Sequence, residues 1–93
     1  MKILFSKFAK QEVEDAIAYY QTERLGLGLI FKNEIKSSIK RISEHPEAWS
    51  IEKGEIRKAL LHRFTYKILY SIEKDCILIL AIAHQHRKPD YWI

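Results

Sequence analysis

These 93 residues specify an α+β domain: a two-helix hairpin on one face of a mostly antiparallel four-stranded sheet, ordered strand-helix-helix-strand-strand-strand. Three observations carry that expectation. Apolar residues recur at intervals of three and four through residues 6–44, the period of a helix face. Residues 64–72 switch to an alternation of period two, the mark of a half-buried strand. Residues 76–83 are apolar at every position, as in a central strand buried on both faces.

Each element can be justified in order. Lys2-Ile3-Leu4-Phe5 reads as a short first strand. Ser6 can accept from a free amide of the next turn and so caps a helix that runs to about Arg24. Val13, Ala16, Ile17 and Tyr20 form its apolar stripe, with Glu12, Glu14, Asp15 and Glu23 largely opposite. Leu25-Gly26-Leu27-Gly28 interrupts the pattern, and Gly26 is expected to cap the end of that helix. Leu27, Phe31, Ile35, Ile39 and Ile42 then mark a second helix. It is expected to end near Glu44, because Pro46 lacks a donor and drives His45 out of helical geometry. Residues 56–62 read as a weak strand and Phe64 to Ile72 as a strong one, with Phe64, Tyr66, Ile68, Tyr70 and Ile72 on one side. Glu73-Lys74-Asp75 is a polar hairpin turn into the last strand, Cys76 to Ala83.

The chain reads as a single domain over residues 1–93. No apolar run approaches the ~20 residues needed to cross a bilayer, so no membrane association is expected. The amino terminus offers three apolar residues where a signal peptide needs at least about seven, which points to the cytoplasm. The lone Cys76 cannot form an internal disulfide and reads as a small buried hydrophobe. Residues 1–52 carry eight Lys/Arg and eight Asp/Glu, whereas residues 53–93 carry eight against four, so the whole excess of +4 lies in the second part. A one-sided basic surface favours phosphates or an acidic protein partner.

Two helices can cover only one sheet face. In the last strand Ile77, Ile79, Ala81 and Ala83 alternate with Cys76, Leu78, Leu80 and Ile82, so both sides are apolar. Either the terminal Tyr91-Trp92-Ile93 folds back over the open face or another protein covers it; the partner is the preferred reading, with Ile77, Ile79 and Trp92 among the contacts.

The second part of the chain resembles the RelE/ParE toxins in three runs, Ile56-Arg57-Lys58-Ala59-Leu60, Phe64 through Tyr70, and Ile79 through His84. The ending His84-Gln85-His86-Arg87-Lys88-Pro89-Asp90-Tyr91-Trp92 is similar to the His-x-x-Arg-x-Pro-x-Tyr-Trp close of ParE-like members. The helical hairpin with Phe31 and the His45-Pro46 exit extends the likeness across the chain. The resemblance implies the toxin of a type II toxin–antitoxin pair, linked to plasmid stabilisation and growth inhibition. A cognate antitoxin would neutralise it by folding a disordered segment around it, in a hetero-oligomer. It also implies one of two targets: DNA gyrase for ParE-like members, or messenger RNA on the ribosome for RelE-like ribonucleases. A third reading is a relic that only binds antitoxin.

Metal-free RNA cleavage needs a base for the 2′-hydroxyl, cations for the phosphorane and a donor to the leaving oxygen. Mapped by the resemblance, Lys67 and Tyr91 are candidates for those roles and Lys58 lies near the family's basic second strand; Arg87, as a substitute cation, and His84, as acid or base, complete the candidate set. The arginine that RelE-like toxins place after the last strand falls on Gln85, which brings no charge. That departure, with the Pro-x-Tyr-Trp ending, favours the non-catalytic ParE-like reading. His84 and His86 could serve as acid and base and could share one face, though His84 reads more simply as a strand end packed on Trp92. No carboxylate or cysteine pattern accompanies the histidines, so neither metal nor cofactor is expected. Arg57 and Lys58 are candidate contacts for antitoxin or target, with pairing of Arg57 to Glu55 or a helix carboxylate as the structural alternative; Arg63 and Lys88 read as solvated. Trp49, after Pro46, reads as a plug for the end of the hairpin.

Overall fold

The computed structural model describes residues 1–85. The elements are β1 (Lys2–Phe5), α1 (Lys7–Glu23), α2 (Leu27–Glu44), β2 (Ile51–Lys53), β3 (Ile56–Leu60), β4 (Tyr66–Ile72) and β5 (Cys76–His84). The helical hairpin lies on a single sheet ordered β1-β5-β4-β3-β2, in which β1 runs parallel to β5 and all other neighbours are antiparallel. The sheet has five strands where the sequence predicts four. The addition is β2, three residues with no alternation of their own, held by pairing with β3. Such a strand exists only because its neighbour supplies the ladder.

Local chemistry places the helices. The Ser6 hydroxyl accepts from the Ala9 amide at 2.9 Å and donates to the Leu80 carbonyl at 3.0 Å, so one side chain both starts α1 and ties it to β5. Gly26 does not cap α1, which ends at Glu23 with Arg24 extended. It stands instead at the start of α2 with φ +88°, a left-handed conformation that suits glycine. At Gly28 a Cβ would lie 2.7 Å from the Ile17 carbonyl oxygen, so the two helices meet there backbone to backbone.

The main core lies between helices and sheet and includes Phe31, Ile35 and Ile42 of α2 with Ile68, Tyr70, Ile77, Ile79 and Ile82. Tyr20, Phe31 and Phe64 pack edge-on or tilted at centroid distances of 4.8–5.2 Å. Phe64 therefore belongs to the core although β4 begins only at Tyr66 and β3 stops at Leu60, short of the predicted His62. The reason is Glu34, whose carboxylate accepts from the amides of His62 (2.5 Å) and Arg63 (3.2 Å) and holds the connection as a turn.

A bulge in β5 changes which residues share a face. Tyr70 pairs with Ile79 but Leu69 pairs with Ala81, so Leu80 is the extra residue. Ile77, Ile79 and Ile82 consequently join the helix-facing core, while Ala81 and Ala83 move to the opposite side with Leu69 and Lys67. The simple alternation expected for this strand fails at that point. So does the expectation of a bare apolar sheet face, since Leu69 and Ala81 are fully buried there. The bulge has given that face alanines in place of an isoleucine. Tyr91-Trp92-Ile93, the other expected cover, lies outside the described residues. Cys76 is half-buried rather than buried.

Candidate functional site

On the face away from the helices, Lys67 is 3% exposed and its Nζ lies 3.3 Å from Glu52 Oε1. Lys58 Nζ reaches the same oxygen at 3.5 Å. The unpredicted β2 thus supplies a carboxylate that holds two lysines, one of them inside the protein. The structural consequence is strong: a buried ammonium must keep its partner. Beside this cluster, Lys58, His62 and Arg63 line a cleft of about 600 Å³ with Trp49, Phe64, Thr65 and Gln85.

His84 lies elsewhere. It pairs across the ladder with Tyr66, whereas Lys67 pairs with Ala83, so pleating sends His84 and Lys67 to opposite faces of the sheet. The His84 ring stands 6.0 Å from Tyr66 between centroids, and its Nε2 is 3.1 Å from the Thr65 hydroxyl. Gln85 occupies the place where the resemblance puts an arginine. Its side-chain amide points to the carbonyls of Leu61, Phe64 and Tyr66 at 3.3–3.5 Å, and its backbone N–H donates to Thr65 at 2.8 Å. Glutamine at this site clasps the β3–β4 turn.

The remaining candidates divide clearly. Ile77 and Ile79, expected to contact a partner, are fully buried beneath the helices and offer no surface. Arg57 pairs with neither Glu55 nor a helix carboxylate; its guanidinium donates to the carbonyls of Glu47 (3.1 Å) and Trp49 (2.7 Å). It fastens the loop after α2, where Trp49 packs on the core as expected. The same loop is held by Tyr70, whose hydroxyl donates to the Pro46 carbonyl at 2.6 Å. Burial pushes that phenol up to about 12, with Arg57 acting in the other direction. Arg87, Tyr91 and Trp92, with His86, lie outside the described residues. Among the described residues no three His, Cys, Asp or Glu side chains converge as a metal site. No described helix is long and apolar enough to cross a membrane.

Sequence reasoning missed Glu52, Glu34 and the work of Gln85. Nothing local announces them: each acts on an element remote in sequence.

Comparison with known proteins agrees with this architecture. A solved chain described as the chromosomal ParDE TA system from P. aeruginosa aligns over 90% of this chain and 95% of its own, with a TM-score of 0.80 and 16% identity. At that identity the likeness is one of fold. No curated protein matches. The sequence profile described as the ParE toxin of type II toxin–antitoxin system, parDE, matches residues 3–89. With nearly the whole chain inside that match, the protein belongs to the ParE toxin family of type II toxin–antitoxin systems.

Proposed function

We propose that this toxin acts by binding an essential target of the DNA gyrase type, without catalysis, and that a cognate antitoxin neutralises it. One observation carries the reading: the two candidates for RNA cleavage among the described residues, Lys67 and His84, are not brought together. Lys67 and His84 leave opposite faces of the sheet, and Lys67 is held by Glu52. A cleaving centre needs its proton acceptor and its cations around one phosphate, within hydrogen-bond reach. Gln85, in the place of the arginine, is engaged with the β3–β4 turn.

Induced expression is expected to arrest growth. Purified toxin should then inhibit supercoiling by gyrase in vitro, and primer extension on translated messages should show no new cuts. Codon-phased cleavage with unaffected supercoiling would establish the RelE-like ribonuclease instead. Absence of growth arrest would point to a relic that retains only antitoxin binding.

A further inference from the structure

The cleft of about 600 Å³ at the β3–β4 turn is lined by Lys58, His62 and Arg63, and no Asp or Glu joins them. Among the described residues, neither the His62 ring nor the Arg63 guanidinium pairs with a carboxylate, and both residues are exposed. Lys58 does reach Glu52 at 3.5 Å, but the buried Lys67 holds the same oxygen at 3.3 Å. One carboxylate between two ammonium groups leaves a positive charge over. Lys58 is the member of that pair that lines the cleft, so the surplus belongs there.

The cations are set in place before any partner arrives. The Glu34 carboxylate accepts from the His62 and Arg63 amides, and the Gln85 side chain reaches the carbonyls of Leu61 and Phe64. A turn fixed from both sides loses little freedom on binding. Between the charges the wall is apolar. Leu60 is 47% exposed, and Leu61 and Trp49 line the same cleft.

We infer that this cleft receives an acidic loop of the protein target, with Asp or Glu against Lys58 and Arg63 and an apolar side chain against Leu60. The inference rests on the reading of the chain as a toxin that binds a gyrase-type target. Charge and surface together select the occupant. Unpaired cations call for an anion, which disfavours a second copy bearing +4. A single-stranded nucleic acid would also want open aromatic faces for its bases. The two aromatic residues of the lining, Trp49 and Phe64, are instead packed against or within the core.

The test uses the full chain and purified gyrase free of DNA. Inhibition of supercoiling and binding by the unaltered chain are scored first. Affinity is then measured for Lys58→Gln/Arg63→Gln and for Lys10→Gln/Lys40→Gln, which removes the same charge at exposed positions outside the cleft. Glu52 keeps Lys67 in the first double, so it should fold, and thermal melting checks both. Expected is roughly tenfold or greater weakening for the Lys58/Arg63 double, against at most about threefold for the control. Equal weakening of both doubles, or of neither, overturns the docking site and leaves the gyrase-type reading standing. An unaltered chain that neither binds nor inhibits gyrase overturns that reading and the docking site with it. Binding of a single-stranded oligonucleotide, or of the antitoxin, that the Lys58/Arg63 double abolishes while gyrase binding persists identifies another occupant and overturns the inference.

Discussion

Lys67 and Tyr70 sit three apart on one strand and illustrate how a single position is set by its partner. Lys67 has the residue type of a catalytic cation but the surroundings of a structural one, buried against Glu52. Lys67→Ala is expected to cost about 1–3 kcal/mol, below the ~3–5 of a fully orphaned partner, because Glu52 keeps Lys58. Lys67→Met should recover part of that loss by filling the volume. Denaturant unfolding measures both, and growth arrest at matched protein levels should be nearly unchanged; a large loss of toxicity in the stable Met variant would favour the nuclease. Tyr70 makes a pH prediction. An unfolded phenol releases its proton near 10, the folded one only near 12. In that window the unfolded state binds fewer protons, so stability falls as pH rises. Tyr70→Phe should lose about 1–2 kcal/mol with the bond to Pro46 and flatten the alkaline slope, read by denaturation and phenolate absorbance.

Elements succeed or fail on the contacts between them. The bulge at Leu80 is stabilised from outside the strand: the Ile82 amide, off the regular ladder, donates to Glu12 of α1 at 2.7 Å, and Ser6 holds the carbonyls of Ile79 and Leu80. Helix and bulge therefore define each other's position. The closest helix–helix approach is equally exacting. Gly28→Ala would drive a methyl group into the Ile17 carbonyl, a backbone atom that cannot swing aside. A loss of about 1–3 kcal/mol is expected, seen as a lowered melting temperature, despite the better helix propensity of alanine. Both helices were legible because their stripes repeat within one element. β2 and the bulge were not, since each is a relation between strands.

For the molecule as a whole, the charge excess lies in residues 53–93. Under the proposed gyrase-type reading, association with gyrase is expected to be electrostatically steered. Its association rate should fall several-fold, up to about tenfold, between low and physiological salt, while dissociation changes less. Stopped-flow or surface-plasmon measurements over a salt series would show it; a salt-independent association rate would sink the idea. Reading both faces of β5 as apolar led to an expected bare sheet face with Ile77 and Ile79 as contacts. Those two lie in the core, and the exposed large apolar side chains are spread over several elements, from Leu4 and Phe5 of β1 to Leu29 of α2, Ile51 of β2 and Leu60 of β3.

From residue order alone came the α+β class, the capping role of Ser6, the helical hairpin ended by Pro46, and the long hairpin of β4 and β5. These follow from periodicity and from proline and hydroxyl chemistry, whose physical range is a turn or a strand. Pairing partners decided the rest: the fifth strand, the face of each β5 side chain, the burial of Lys67, and the separation of Lys67 from His84. One extra residue in a strand reverses inside and outside beyond it, and only the opposing strand and the helix above determine where that residue falls.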